Sequence, residues 1–210
     1  MPAWMINPLS ALYGIVKENA GAFAFLVGAY FSWRGLKIWR DQMTGQDRYT
    51  VAKNLLRTIY HVRERVGYLR QPMYMGGEIE SSLKKHFPDF KYDFFNHTEE
   101  DDKKVDRAVL FERWSEVRQV LVDYRVIKFE ALVHWGDPIA KAFADFEKVV
   151  NGLKIRVDML PRIDKDARDG SREKVEQYIF DIGDDSPDEF KTEFYRTIAE
   201  IESIVRPALK

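Results

Sequence analysis

The chain has 210 residues, 45% of them hydrophobic and 32% charged, with a formal net charge of -1 and no cysteine. That balance belongs to a folded globular protein and excludes a disordered chain or a polytopic membrane protein, and the missing cysteine excludes disulfides, thiolate metal sites and a cysteine nucleophile. At about 1.4 times a typical domain of roughly 150 residues, the length holds one domain and one further segment.

The charge is unevenly placed, because residues 1–71 carry ten Lys and Arg against four acids, which leaves -7 for the remainder. Nine of those ten basic residues follow the uncharged run Ala20 to Trp33, AGAFAFLVGAYFSW. Fourteen residues of helix reach about 21 Å, short of the ~30 Å hydrocarbon core of a bilayer. The run lengthens to Trp39 if Arg34 and Lys37 snorkel, since Leu36, Ile38 and Trp39 continue its apolar character. The sequence therefore predicts a transmembrane helix over residues 20–39, preceded by a short extracytoplasmic segment, 1–19. Trp33 and Trp39 would lie at one interface and Trp4 and Tyr13 at the other. A helix that is apolar all round does not suit the membrane plane, which requires a polar face. No basic region precedes the run and Trp33-Arg34 stands where small residues would mark a cleavage site, so a cleaved signal peptide is not expected.

Lys17 alone lies on the N-terminal side of the run, against Arg34, Lys37, Arg40, Arg48 and Lys53 on the other. The positive-inside rule then gives a single-pass protein of a cell inner membrane with its N-terminus outside and its body, residues 40–210, in the cytoplasm. Arg34, Lys37 and Arg40 are expected at anionic lipid headgroups. Ala20, Ala24, Gly28 and Ser32 recur every four residues, a stripe of small side chains that lets membrane helices approach one another.

Beyond a polar break expected at Thr44-Gly45-Gln46, apolar residues at Ala52, Leu55, Ile59, Val62, Val66, Leu69 and Met73 alternate in steps of three and four, the seam of a helix that Pro72 ends or bends. Thr98 followed by Glu99, Glu100, Asp101 and Asp102 announces a second helix, with a seam at Leu110, Trp114, Val117, Leu121, Tyr124, Lys128, Ala131 and Trp135. Gly136-Asp137-Pro138 stops it and starts a third, with Asp137 as N-cap and Ile139, Phe143, Phe146, Val150, Leu153, Val157 and Leu160 inward. Ser186-Pro187-Asp188-Glu189 opens a fourth, carrying Phe190, Phe194, Ile198, Ile201 and Val205. Four amphipathic helices of coiled-coil spacing imply an all-α fold, an antiparallel helical bundle behind the membrane helix. Residues 74–97 and 161–186 remain as long connections. The first holds Phe87, Phe90, Tyr92, Phe94 and Phe95, which read as a flap over the core, or as a partner surface at Phe90, Tyr92, Phe94 and Phe95 if they are exposed.

Motifs for chemistry are weak. Gly76-Gly77 lacks the strand and the Lys-Ser/Thr of a phosphate loop, and no G-x-S-x-G elbow occurs. Asp164, Asp166 and Asp169 resemble the start of a calcium loop but put Arg168 and Val175 where ligands belong, and His61, His86 and His97 have no metal-binding helical spacing. The basic stretch Arg34–Arg70 suits headgroups better than nucleic acid, which the acidic remainder would repel. These features predict a non-enzymatic adaptor, sensor or scaffold without a cofactor. Its expected partners are the membrane, anionic headgroups and either a second copy or another protein, and not a nucleic acid. The alternative is an oligomerising, membrane-disrupting effector.

Overall fold

Each apolar seam read from the sequence needs a partner face, and a helical bundle supplies it. In a computed structural model the chain is all-α. Six α-helices and two short 3-10 turns, with no strand, are the secondary structure of the described residues, 8–164, 170–181 and 188–209; side chains are described from residue 21 on, Phe23 excepted. The helices are α1 (Pro8–Leu69), α2 (Gly76–His86), α3 (Glu99–Trp135), α4 (Asp137–Met159), α5 (Ser171–Ile179) and α6 (Glu189–Val205). The chain divides into two units, Met1–Asp47 and Arg48–Lys210.

In the first unit the expected break at Thr44-Gly45-Gln46 does not occur, and α1 runs through it. One helical glycine costs only about 1 kcal/mol, too little to stop a helix with good formers on both sides. The Thr44 hydroxyl donates back to the Arg40 carbonyl at 3.0 Å and is absorbed by the helix instead of capping it. No helix among the described residues is long and apolar enough to cross a membrane, so the transmembrane helix expected over 20–39 is not supported. The reason lies in its length, since the uncharged run is fourteen residues long and Arg34 and Lys37 interrupt its extension.

The second unit is the bundle. Ala52, Leu55, Ile59, Val62, Val66 and Leu69 of α1 are buried in one cluster with Leu110, Trp114, Val117, Tyr124 and Ala131 of α3, the whole α4 seam from Ile139 to Val157 with Leu160 of the 3-10 turn after it, and Phe190, Phe194, Ile198, Ile201 and Val205 of α6. Met73 is the exception, lying exposed beyond the end of α1. Leu121, Lys128 and Trp135 of the α3 seam are only half-buried. Aromatic rings run through the centre, with Tyr124 edge-on to Phe143 and Phe146 stacked on Phe194 at 5.7 Å.

The caps are those the sequence announces, shifted at two places. The Thr98 hydroxyl accepts from Asp101 N while Thr98 N donates to the Asp101 carboxylate, a reciprocal capping box. Between α3 and α4 the N-cap is Gly136, not Asp137; its φ of 60° and ψ of -138° fall where a side chain would be strained. α6 is capped by Asp188, whose carboxylate accepts from Lys191 N; Ser186 and Pro187 lie outside the described residues. The connections hold helices that the sequence pattern did not reveal, α2 in the first and α5 in the second. A strand-like alternation at Phe90, Tyr92 and Phe94 forms no strand.

Phe143→Ala should destabilise the bundle by about 3 to 5 kcal/mol, read from denaturant unfolding of the full chain, because it removes a fully buried ring and leaves a cavity. Leu121→Ala, at a half-buried position, should cost clearly less.

Candidate functional site

The surface that the first unit offers is apolar. Between Phe25 and Met43 ten large apolar side chains of α1 are exposed: Phe25 (74%), Leu26, Val27, Tyr30, Phe31, Trp33, Leu36, Ile38, Trp39 and Met43. Ala24, Gly28 and Ser32 are exposed on the same helix, and a Cβ built on Gly28 would meet nothing within 4 Å, so that stripe faces open space. The side chain of Ala20 lies outside the described residues. Arg34, Lys37 and Arg40 follow, all exposed, with Arg34 donating to the Tyr30 hydroxyl at 3.2 Å.

The aromatic connection of the second unit splits in two. Phe87, Phe90 and Tyr92 pack with Tyr74 over a small cluster of Ile79, Leu83, Val105, Ala108 and Val109 from α2 and α3. The Tyr92 hydroxyl donates to Asp102 at 2.7 Å, and burial together with that carboxylate pushes its pKa up to about 12. Phe94 and Phe95 are exposed, Phe95 completely. Of the four residues expected to form a partner surface, two therefore belong to a flap and two are open.

Three buried arginines hold the connections, and hydrophobic periodicity had no means of finding them. Arg113, 2% exposed, donates from Nε and Nη2 to both Glu78 oxygens at 2.6 and 2.9 Å, and to the carbonyls of Gln71 and Met73 at 2.6 and 2.9 Å. Its guanidinium lies about 5 Å from the Tyr68 and Tyr74 rings. Arg70 donates to Ile179 O at 3.0 Å and to Asp188 at 2.7 Å above the Phe190 ring, tying the end of α1 to both ends of the α5–α6 connection. Arg172 joins Asp106 to the Ile163 carbonyl.

A cavity of about 350 Å³ opens between α3 and α4, lined by Tyr124, Arg125, Lys128, Phe129 and Glu147 among others. Lys128 and Glu147 pair at 2.6 Å across it. The Tyr124 hydroxyl is buried beside that pair without a hydrogen bond of normal geometry, and burial, then the Glu147 charge, pushes its pKa up. Acids and histidines elsewhere engage neighbours: Asp164 meets Lys103, His86 meets Glu112 and His97 meets Asp102. Asp166 and Asp169 lie outside the described residues. No group of three His, Asp or Glu able to hold a metal is found among the described residues.

α3 has a second apolar face that its inward seam conceals. Val122, Val126, Phe129 and Val133 are exposed, Val133 to 83%. The sequence does carry this signal, since these residues repeat in steps of four, three and four beside the buried seam. The sequence matches no protein-family model, no curated protein and no solved structure.

Burial alone would raise the Glu78 pKa, but the hydrogen bonds and charge of Arg113 outweigh it and hold the carboxyl below its ordinary value of 4.5. A depressed acid stabilises the fold fully above its unfolded pKa and loses that contribution as pH falls through the folded one. The thermal midpoint should therefore decline below about pH 4.5. Glu78→Gln should start lower at pH 7 and lose less on acidification.

Proposed function

We propose that the chain is a membrane-anchored helical-bundle protein that acts as an adaptor or scaffold, its α1 segment seated in a bilayer and its bundle presented to other proteins at the cytoplasmic face. The observation that carries the reading is the uncovered apolar surface from Phe25 to Met43. An apolar surface of that extent is covered in a working protein. Lipid suits it because residues 20–33 are apolar all round and are followed at once by Arg34, Lys37 and Arg40. Insertion brings Arg34 and Lys37 to the headgroups, and complete crossing draws on their snorkelling.

The full chain should float with phosphatidylcholine/phosphatidylglycerol vesicles and resist carbonate extraction. Phe25→Lys with Phe31→Lys should cut flotation by more than about tenfold, since a lysine in hydrocarbon costs roughly 2.5–3.5 kcal/mol. Alkaline phosphatase fused after Lys210 should be inactive while a tag at the N-terminus is reached from outside; release by carbonate would remove the anchor. A second reading, an oligomerising effector, is favoured by the open stripe at Ala24, Gly28 and Ser32 and would show itself as dye release from those vesicles.

A further inference from the structure

The outward face of α3 has the composition of a coiled-coil seam. Assigning Val122 and Phe129 to d places Gln119, Val126 and Val133 at a, and all five are exposed. The flanking positions are then fixed: Arg118 and Arg125 fall at g, Asp123 and Glu130 at e, and these four are exposed as well. None of the four charged side chains has an ion pair or hydrogen bond among the described residues.

We propose that this face is the docking surface for a second copy of the chain, with the two α3 helices side by side, parallel and in register. In a parallel pair a g residue faces the e residue five positions on in its partner. Arg118 then meets the partner's Asp123, Arg125 meets the partner's Glu130, and two-fold symmetry repeats both pairs, giving four attractive contacts from charges that have no partner among the described residues. The antiparallel arrangement sets e against e and brings Asp123 towards the second copy's Glu130, like against like. Valine at both apolar a positions suits two strands, and Gln119 at the remaining a position meets its own counterpart only in the parallel register. Arg125 and Phe129 also line the α3–α4 cavity, so pairing closes its mouth. A seam of two heptads is at the small end of specific interfaces, which makes the association reversible and concentration dependent. The inference rests on the bundle unit alone and stands whether or not α1 enters a bilayer.

Sedimentation equilibrium of the full chain in mild detergent tests it. The chain should pass from monomer to dimer across a dilution series, and Arg118→Glu with Arg125→Glu, or Asp123→Lys with Glu130→Lys, should each weaken self-association by at least about tenfold. An equimolar mixture of the two charge-reversed chains should recover a dimer, which a folding defect in either could not do. Gly28→Leu should leave the equilibrium unchanged, separating this contact from any association through α1. The chain lacks cysteine, so Val126→Cys and Phe129→Cys each introduce a unique thiol. Each should bridge to itself with a short bis-maleimide. A chain still monomeric at about 0.5 mM overturns the proposal. So does a dimer indifferent to charge reversal but lost in Gly28→Leu, or bridging found only between Val126→Cys and Phe129→Cys chains when mixed.

Discussion

The bidentate pair of Arg113 with Glu78 is the contact on which the order of the bundle's first half depends. Helix α1 ends at Leu69; the amides of Arg70 and Gln71 still reach the Val66 and Tyr68 carbonyls, but Pro72 forbids continuation and leaves the carbonyls of the connection in need of other donors. Arg113 reaches from the middle of α3 to the carbonyls of Gln71 and Met73 and leaves Nε and one Nη2 hydrogen for Glu78. One planar group therefore fixes the end of α1, the path of the connection and the start of α2. Its charge is tolerable at 2% exposure because carbonyls, a carboxylate and two aromatic rings surround it. Removing Glu78 alone would strand a buried cation, a loss of order 3–5 kcal/mol, whereas removing both partners together is far less costly.

The same solution recurs at the other end of the connections. Arg70 and Arg172 donate to main-chain carbonyls near α5 and pair with Asp188 and Asp106. A chain without cysteine cannot staple its long connections with disulfides. Guanidinium groups serve, since their rigid fork of donors can satisfy carbonyls and a carboxylate at once.

The four seams were legible in the sequence because a buried stripe repeated over three or more turns leaves a periodic record. Nearly every residue placed on them from Ala52 to Val205 is buried. α2 left no such record: it has eleven residues and only Ile79 and Leu83 as large buried apolar side chains, too few for a period to emerge. Its formation depends on Glu78 and on packing against α3, which are tertiary facts. The buried arginines were invisible for a related reason, since charge in a sequence is read as surface and only the fold shows which carbonyls need a donor. The break expected at Gly45 failed because a local preference of about 1 kcal/mol was set against a helix continuing on both sides.

The apolar segment of α1 and the outer face of α3 share a property that burial statistics for single residues do not reveal. A helix committed to one core needs one apolar stripe, roughly 100° wide, and polar residues elsewhere. The segment from Phe25 to Trp33 is apolar in nearly every direction, its continuation to Met43 keeps large apolar side chains beside Arg34, Lys37 and Arg40, and α3 is apolar in two directions. Neither set of side chains is among the buried residues, so each requires an environment that covers it. The two differ in kind, however. The α1 segment carries its charges only after Trp33, at Arg34, Lys37, Arg40 and Asp41, and the run before them has none, which suits a medium such as lipid that recognises hydrophobicity and meets charge only at its surface. The α3 face is bordered by charges of both signs at fixed intervals, an order that a surface carrying the complementary pattern can meet pair by pair.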